Sequence, residues 1–313
     1  MSKTAFVFPG QGSQAIGMLA ELAGAHAIVE RTFAEASEVL DRDLWKLVQD
    51  GPEDDLNRTD LTQPAMLAAG VAVWRVWQEQ GGPTPLWMAG HSLGEYTALV
   101  CAEAMGFGDA VSLVADRGRF MQEAVPAGQG AMAAILGLDD AVVRAVCAEA
   151  ADGDVVEAVN FNAPGQVVIA GSSAAVERAI EAARTAGAKR ALPLPVSVPS
   201  HCELMRPASE RLAERLAGVQ IAVPVIRILH NVDAAPAEHP DSIRDRLARQ
   251  LHSPVRWVET VEALAAQRID TLVECGPGKV LAGLGKRIDR SLTSLPVFDT
   301  ASLDKALQGV RND

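Results

Sequence analysis

Short apolar runs alternate along the chain with longer stretches in which apolar residues recur at helical spacing. The apolar runs predict strands at 4–8, 86–89, 225–230, 269–275 and 297–298. The helical patterns predict helices at 17–23, 29–40, 43–49, 62–80, 93–104, 108–123, 203–217, 241–251 and 279–287. Thr62-Gln63-Pro64 should open one helix with Pro64 in its first turn, Asp241 should cap another, and Ser253-Pro254 should start a third. Strands that are apolar throughout and separated by helices predict a parallel sheet covered on both faces.

The segment 128–198 has a different order of elements. Its patterns predict strands at 131–138, 155–160, 167–170 and 190–196, and helices at 139–151 and 173–186. This β-α-β-β-α-β order is the ferredoxin-like pattern. Proline and glycine at 126–128 and prolines between 193 and 199 predict linkers on either side. We therefore predict an α/β fold in which a small ferredoxin-like domain, 128–198, is inserted into a large α/β-hydrolase-like domain formed by 1–127 and 199–313.

The sequence Gly90-His91-Ser92-Leu93-Gly94 lies between a predicted strand and a predicted helix. Glycines placed two residues to either side of a serine permit the sharp strand–turn–helix bend of a nucleophile elbow. Such a bend would expose the Ser92 hydroxyl beside the first N–H groups of the helix, where an oxyanion can be stabilised. The pattern therefore predicts a nucleophilic serine at this position.

Composition and charge narrow the possible partners. The 313 residues include 28 Lys+Arg and 40 Asp+Glu, which give a formal net charge of −12. This acidity argues against nucleic acid or an anionic membrane as a partner. The chain shows no signal-peptide pattern and no apolar run of about 18 residues. Its four scattered cysteines fit reduced thiols, so a cytoplasmic location is expected, and the absence of metal-ligand spacing predicts no metal.

A serine becomes a good nucleophile only when a base takes its proton. Of the six histidines, His201 is the favoured candidate because it lies where the chain returns from the inserted domain and would pass over the cleft. His91 adjoins Ser92, but neighbouring side chains at an elbow point apart, so His91 is expected to shape the loop. The other four, His26, His230, His239 and His252, carry no comparable signal.

Six blocks of sequence extend this interpretation. They are Gly10-Gln11-Gly12-Ser13-Gln14, Gly90-His91-Ser92-Leu93-Gly94-Glu95, Arg117-Gly118-Arg119-Phe120-Met121, Asn160-Phe161-Asn162-Ala163-Pro164-Gly165-Gln166, Pro199-Ser200-His201 and Glu274-Cys275-Gly276-Pro277-Gly278. In order and over nearly the whole chain, they resemble the malonyl-CoA:acyl carrier protein transacylase family. The resemblance implies ping-pong transfer of a malonyl group from malonyl-CoA to the phosphopantetheine thiol of acyl carrier protein. CoA and that thiol are substrates, so no bound cofactor is expected, and the chain is expected to be a monomer.

The resemblance also implies roles for individual residues. Ser92 would carry the acyl group, and His201 would act first as base and then as acid. The backbone carbonyl of Gln250 would orient the imidazole, while Gln11 and the Leu93 N–H would hold the oxyanion. Arg117 would bind the malonyl carboxylate through a bidentate, charge-assisted contact. The rest of the substrate pocket would be formed by Gln63, Met121, Asn162 and Val198.

Two other functions remain open on the sequence alone. A serine hydrolase or thioesterase would need an acidic third residue, for which Asp109, Asp116, Asp140 and Asp154 are available. A non-catalytic binding module would not need the intact serine and histidine. Malonyl against methylmalonyl selectivity, and fatty acid against polyketide synthesis, are not decided by the sequence. Docking of an acidic carrier protein would need local cations, and the candidates are Lys189, Arg190, Arg206, Lys279, Lys286 and Arg287.

Overall fold

A computed structural model describes residues 3–196 and 198–311. Within these ranges the strands are β1 (Thr4–Phe8), β2 (Trp87–Gly90), β3 (Gly130–Leu136), β4 (Val156–Ala163), β5 (Gln166–Ser172), β6 (Arg190–Pro193), β7 (Arg227–Leu229), β8 (Thr271–Cys275) and β9 (Thr293–Val297). The helices are α1 (Ala20–Ala25), α2 (Ile28–Leu40), α3 (Leu44–Asp50), α4 (Glu53–Leu56), α5 (Thr59–Glu79), α6 (Gly94–Cys101), α7 (Phe107–Ala124), α8 (Asp140–Ala151), α9 (Ser173–Thr185), α10 (Arg206–Ala217), α11 (Pro240–Gln250), α12 (Trp257–Ala266), α13 (Val280–Ile288) and α14 (Thr300–Arg311), with a 3₁₀ turn at Glu203–Met205.

The larger sheet is parallel and has the strand order β7-β2-β1-β8-β9. Its central strand β1 is buried along its whole length. Phe6 and Phe8 on this strand belong to the core formed with α2, α5 and α7, whereas Ala5 and Val7 belong to a second core that includes Trp257 of α12. Because successive side chains of a strand point to opposite faces, both faces of the sheet are covered, as the apolar runs predicted.

The smaller sheet is antiparallel, with the strand order β4-β5-β3-β6. Helices α8 and α9 pack on one face, where Val143, Val176 and Ile180 meet the strands. Met132 and Val168 lie on the opposite face, where they pack with Cys202, the residue before the 3₁₀ turn. This arrangement confirms the ferredoxin-like α/β class, while the boundaries at 127/128 and 198/199 stay a prediction.

Parallel strands bring the segments that follow their carboxyl ends to one edge of the sheet. The loop after β1 contains Gln11, the turn after β2 contains Ser92, and the segment after β7 begins with His230-Asn231. Binding sites of open α/β sheets form at this edge. The topology therefore gathers three separate polar segments at one place.

Three details of the sequence interpretation are wrong. Helix α5 starts at Thr59, so Pro64 lies beyond the first turn; the N–H groups of Leu61 and Thr62 both donate to the Arg58 carbonyl, and this starts the helix earlier. The residue before α11 is His239, and Asp241 lies inside its first turn, where it pairs with Arg244.

The third error concerns Ser253-Pro254, which does not start a helix. The next residue, Val255, instead pairs with β4, because its N–H donates to Val159 and its carbonyl accepts from Phe161. Helix α12 consequently begins at Trp257. This backbone bridge connects the segment after α11 to the smaller sheet.

Two further expectations from the sequence concern the four cysteines and the hydropathy of the helices. Cys101, Cys147, Cys202 and Cys275 are all buried and free. Among residues 3–196 and 198–311, no helix combines the length and apolarity that crossing a bilayer would require.

Candidate active site

Ser92 occupies a sharp turn between β2 and α6, as the elbow pattern predicted. Its φ is +51°, a left-handed conformation that L-residues adopt at a cost. The flanking glycines are required by close backbone approach. A Cβ on Gly90 would lie 1.8 Å from the Gly94 carbonyl carbon, and a Cβ on Gly94 would lie 2.0 Å from the Phe8 oxygen. No side chain fits at either position, so the turn depends on both glycines.

His201 lies beside Ser92 although 109 residues separate them in sequence. The Ser92 Oγ is 2.8 Å from the His201 Nε2, and the His201 Nδ1 is 2.7 Å from the backbone oxygen of Gln250. A carbonyl can only accept, so Nδ1 carries the hydrogen and Nε2 is free to accept the serine proton. His201 has a φ of +69°, and its own N–H donates to the Leu251 carbonyl at 2.9 Å. The last turn of α11 thus fixes both the backbone and the ring.

Burial, followed by the neighbouring Arg117 cation, lowers the pKa of His201 to about 3. The imidazole is therefore neutral at physiological pH, which is the form that can take a proton. The group that orients the imidazole, which is an acid in a serine–histidine–acid triad, is here the Gln250 backbone carbonyl. Of the carboxylates considered for that position, Asp116 pairs with Arg119 and Arg215, and Asp154 pairs with Arg178.

Arg117 projects from α7 into the base of the site and is 1% exposed. Its guanidinium donates to the Gln63 Oε1 at 2.8 Å, to the Gln250 Oε1 at 2.9 Å and to the Ser92 Oγ at 3.3 Å. Its Nε has no partner among the described residues. All of these acceptors are neutral, so a buried cation sits next to the serine without a direct carboxylate partner.

A cavity of about 200 Å³ opens above Ser92 and His201. The predicted residues Gln11, Leu93, Met121, Asn162 and Val198 all line it, together with Arg117. Apolar side chains from the smaller sheet and from the segment after β6 complete the wall, namely Met132, Val168, Leu194 and Val196. The cavity therefore lies between the two sheets.

Gln63 differs from the other predicted pocket residues because it does not line this cavity. It is 1% exposed and lies behind Arg117, with its Oε1 facing the guanidinium and its Nε2 3.4 Å from the Met121 sulfur. The direct pocket role expected for Gln63 is thus replaced by a contact through Arg117. Gln250 is likewise buried behind the wall.

The two residues expected to supply oxyanion donors, Leu93 and Gln11, both line the cavity beside Ser92. The Leu93 N–H follows Ser92 at the start of α6 and has no hydrogen-bond partner among the described residues. Gln11 lines the same cavity, and its side-chain Nε2 donates weakly to the Thr59 Oγ at 3.4 Å. The positive end of the α6 dipole points to the same region.

Other polar contacts around the site include one between two residues named from the sequence and a cluster that the sequence did not single out. His91 contacts Asn162 through its Nε2 at 2.8 Å, and burial lowers the pKa of its imidazole. Behind the elbow, Glu95, His230 and Asn231 form a buried cluster. The available clue was the position of His230-Asn231 directly after an apolar strand, at the same sheet edge as Ser92. The sequence could not say which partners those residues would meet.

The Ser92 hydroxyl lies beside a carbonyl-held imidazole and a buried cation at the carboxyl edge of a parallel sheet. These groups have the chemistry that acyl transfer requires. Comparison with known proteins supports this chemistry, since the model of the acyl transferase domain matches residues 5–302. The chain belongs to the family of malonyl CoA-acyl carrier protein transacylases and is an acyltransferase.

Three relatives illustrate this membership. The malonyl CoA-acyl carrier protein transacylase of Escherichia coli is 58% identical over 308 residues, covering 98% of this chain and 100% of the relative. The crystal structure of an acyl carrier protein S-malonyltransferase from Vibrio cholerae is 60% identical with a TM-score of 0.95, covering 97% of this chain and 100% of that one. A malonyl-transacylase solved with its type II PKS acyl-carrier protein is 58% identical with a TM-score of 0.97, covering 98% and 100%.

Proposed function

We propose that this protein transfers a malonyl group from malonyl-CoA to the phosphopantetheine thiol of acyl carrier protein through a malonyl-Ser92 ester. The observation that carries this proposal is the position of one hydroxyl: Ser92 Oγ lies 2.8 Å from the His201 Nε2 and 3.3 Å from the Arg117 guanidinium. A nucleophile, its base and a cation for an acid-tailed acyl group therefore meet at one point. The names of the family members indicate the same reaction.

In the first half-reaction His201 takes the Ser92 proton as the hydroxyl attacks the thioester carbonyl. The oxyanion is stabilised by the Leu93 N–H and by Gln11, and each such donor typically contributes about 3–4 kcal/mol. When the intermediate collapses, His201 returns the proton to the CoA sulfur. The Gln250 carbonyl fixes the ring tautomer in this cycle but stabilises an imidazolium less than a carboxylate would.

Specificity for a malonyl group comes from Arg117 in this proposal. The guanidinium is buried, carries its charge at all relevant pH values and donates hydrogen bonds only to neutral oxygens. A substrate carboxylate would supply the missing counter-charge, whereas an acetyl group would not. Gln63 and Gln250 hold the fork in place from behind, and Met121, Asn162 and Val198 bound the space for the short acyl chain.

In the second half-reaction the thiol of acyl carrier protein loses its proton to His201 and attacks the malonyl ester. When this second intermediate collapses, the Ser92 oxygen leaves and takes the proton back from His201, whose Nε2 lies 2.8 Å away. The small volume of the cavity and its apolar wall from the smaller sheet restrict the approach of water. An acidic carrier protein needs basic residues on the surface that it contacts. Of the candidates, Lys189 and Arg287 line one further cavity, which shares no lining residue, among those the structure describes, with the cavity above Ser92. We also propose that the enzyme is monomeric, is cytoplasmic and needs no bound cofactor. Its four free cysteines fit the reducing conditions of the cytoplasm.

Isotope exchange tests this function directly. The purified chain is mixed with malonyl-CoA and labelled CoA in the absence of carrier protein. A ping-pong enzyme with an acyl-serine intermediate must move label into malonyl-CoA, and Ser92→Ala must not. Release of free malonate at a comparable rate would favour the hydrolase alternative. Absence of both reactions would favour a binding module.

A further inference from the structure

The nucleophile elbow rests on a cluster of buried polar side chains. Glu95, His230, Asn231 and Gln250 are each 0% exposed. The Glu95 carboxylate accepts from the His230 Nδ1 at 2.7 Å, from the Asn231 N–H at 2.9 Å and from the Gln250 Nε2 at 2.8 Å. None of these side chains except that of Gln250 has a part in the proposed reaction, and none lines the cavity.

Within this cluster the Asn231 amide contacts the elbow backbone on both sides of His91. Its Oδ1 accepts from the Ser92 N–H at 2.7 Å, and its Nδ2 donates to the Gly90 carbonyl at 2.6 Å. The amide thus uses its oxygen as an acceptor and its nitrogen as a donor. Rotating the amide by half a turn would place its NH₂ group against the Ser92 N–H and its oxygen against the Gly90 carbonyl, so both hydrogen bonds would be lost. Among common side chains of this size, only an amide or a protonated carboxyl group can make this pair of bonds.

The orientation of Asn231 is itself fixed by its surroundings. Its backbone N–H is bound to Glu95 of α6, and its carbonyl accepts from the Arg256 N–H at 3.1 Å. Glu95 belongs to the first turn of the helix that follows Ser92, so the clamp connects the end of β2, the elbow and the start of α6. The Gln250 Nε2 adds a donor to the Ser92 carbonyl at 3.1 Å. The peptide groups on either side of Ser92 are thus held from behind.

We propose that Asn231, anchored on Glu95, is a positioning residue that holds Ser92 in its left-handed conformation and so fixes both the nucleophile and the Leu93 N–H. This inference rests on the proposed function, since it assigns a role in forming the acyl-enzyme. Asn231 itself touches neither substrate nor reacting atoms. Its loss should misalign Ser92 against His201 and the oxyanion donor while leaving Arg117 and the His201–Gln250 contact in place.

The expected signature is a loss of acylation rate without a loss of substrate binding. Displacing reacting groups by about 1 Å, or losing one oxyanion donor, typically costs about 100-fold in rate. For Asn231→Ala we expect the single-turnover acylation rate with malonyl-CoA to fall about 100-fold while the concentration for half-saturation changes by less than about threefold. A role in stability alone would lower the melting temperature and leave the acylation rate of the folded fraction unchanged.

Asn231→Asp supplies a rescue experiment. Protonated, the introduced carboxyl group has the acceptor and donor of the native amide; ionised, it can only accept. Burial and the nearby Glu95 carboxylate favour the protonated form. The other titratable groups nearby are His230 on the same segment, His91 between the two backbone groups that Asn231 contacts, and, beyond Gln250 and Ser92, Arg117 and His201. Burial lowers the pKa of His91. Because the pKa of His201 is lowered to about 3, the base stays neutral over the tested pH range.

The measurement is rapid-quench acylation of the full chain by malonyl-CoA, followed by intact mass, at pH about 8 and about 5.5. Asn231→Asp should react at least about tenfold faster than Asn231→Ala at the lower pH. A matched control is Ser37→Ala, which also removes a side chain that bridges two backbone groups but lies away from the cavity. That control should acylate at the wild-type rate.

The outcomes separate the two proposals. If the wild type is not acylated, the proposed function fails. If the wild type is acylated and Asn231→Ala stays within about threefold of it, or if both variants are equally slow at both pH values, the positioning role is overturned. Failure of both variants to fold would also overturn it, in favour of a purely structural role. A wild-type rate for Asn231→Asp at both pH values supports the role, because the protonated acid then replaces the amide fully.

Discussion

Replacing Arg117 with alanine should remove the preference for a malonyl over an acetyl group. The guanidinium is enclosed at the base of the site and contacts the Gln63 Oε1, the Gln250 Oε1 and the Ser92 Oγ. None of these partners is charged, so the cation is available to a substrate carboxylate. The alanine variant takes away both the charge and the planar fork but leaves Ser92 and His201 in place.

The size of the effect follows from the bonds that are lost. Each charge-assisted hydrogen bond contributes about 1.5–3 kcal/mol, so a bidentate contact contributes about 3–6 kcal/mol. At about 1.4 kcal/mol for each factor of ten, kcat/KM for malonyl-CoA should fall about 10²- to 10⁴-fold. Acetyl-CoA gains no such contact in the wild type, and its use should stay level or rise.

The assay compares kcat/KM for malonyl-CoA and acetyl-CoA with one carrier protein. Arg119→Ala is the matched control, since Arg119 lies on the same helix but is half-exposed and pairs with Asp116. That control should keep the wild-type preference, because an exposed ion pair contributes little. An unchanged malonyl preference in Arg117→Ala would refute the carboxylate contact.

Three further predictions concern pH, docking and the elbow. Burial lowers the pKa of His201 to about 3, against about 6.5 in the unfolded chain, so the folded protein is most stable with respect to this group above pH about 6.5 and loses up to about 1.4 kcal/mol of unfolding free energy per pH unit below it. In urea unfolding, His201→Gln should therefore lose less unfolding free energy on acidification than the wild type does. Equal losses in the two proteins would contradict the assignment. Lys286 and Arg287 are exposed, and reversing their charges should raise the KM for carrier protein, most strongly at low salt. If the KM of the variant equals that of the wild type at low salt, these two residues do not contribute to docking. Gly94→Ala should abolish acylation, because the added Cβ would lie 2.0 Å from a backbone oxygen. Gly283→Ala in α13 is the control; it has open space around its Cβ and should be active and slightly more stable in thermal melts. An active Gly94→Ala would contradict the steric argument.

Local chemistry allowed much of this arrangement to be predicted from the sequence. The elbow depends on two glycines of one five-residue motif, and that motif is visible in the sequence although Gly94 is needed because of a close contact with Phe8 on another strand. The alternation of apolar strands and helices likewise reflects burial on both faces of one sheet, as the two cores around β1 demonstrate. The ferredoxin-like order of the smaller unit was predicted in the same way, from the alternation of strand and helix patterns along 128–198.

Contacts between distant segments account for what the sequence could not predict. Ser253-Pro254 has the chemistry of a helix start, but pairing of Val255 with β4 overrides it. The anchoring of Asn231 on Glu95 spans 136 residues and has no local signature. The place of Gln63 behind Arg117, rather than in the cavity wall, depends on how α5 and α7 pack.

The position of the acyl group is the most direct test of the whole account. The chain is mixed with malonyl-CoA, quenched in acid, digested and mapped by mass spectrometry, with and without a later addition of holo acyl carrier protein. The account predicts one malonyl group on the peptide that contains Ser92, and its transfer to the carrier thiol in the second sample. A malonyl group on another residue, or one that leaves only as free malonate, would contradict it.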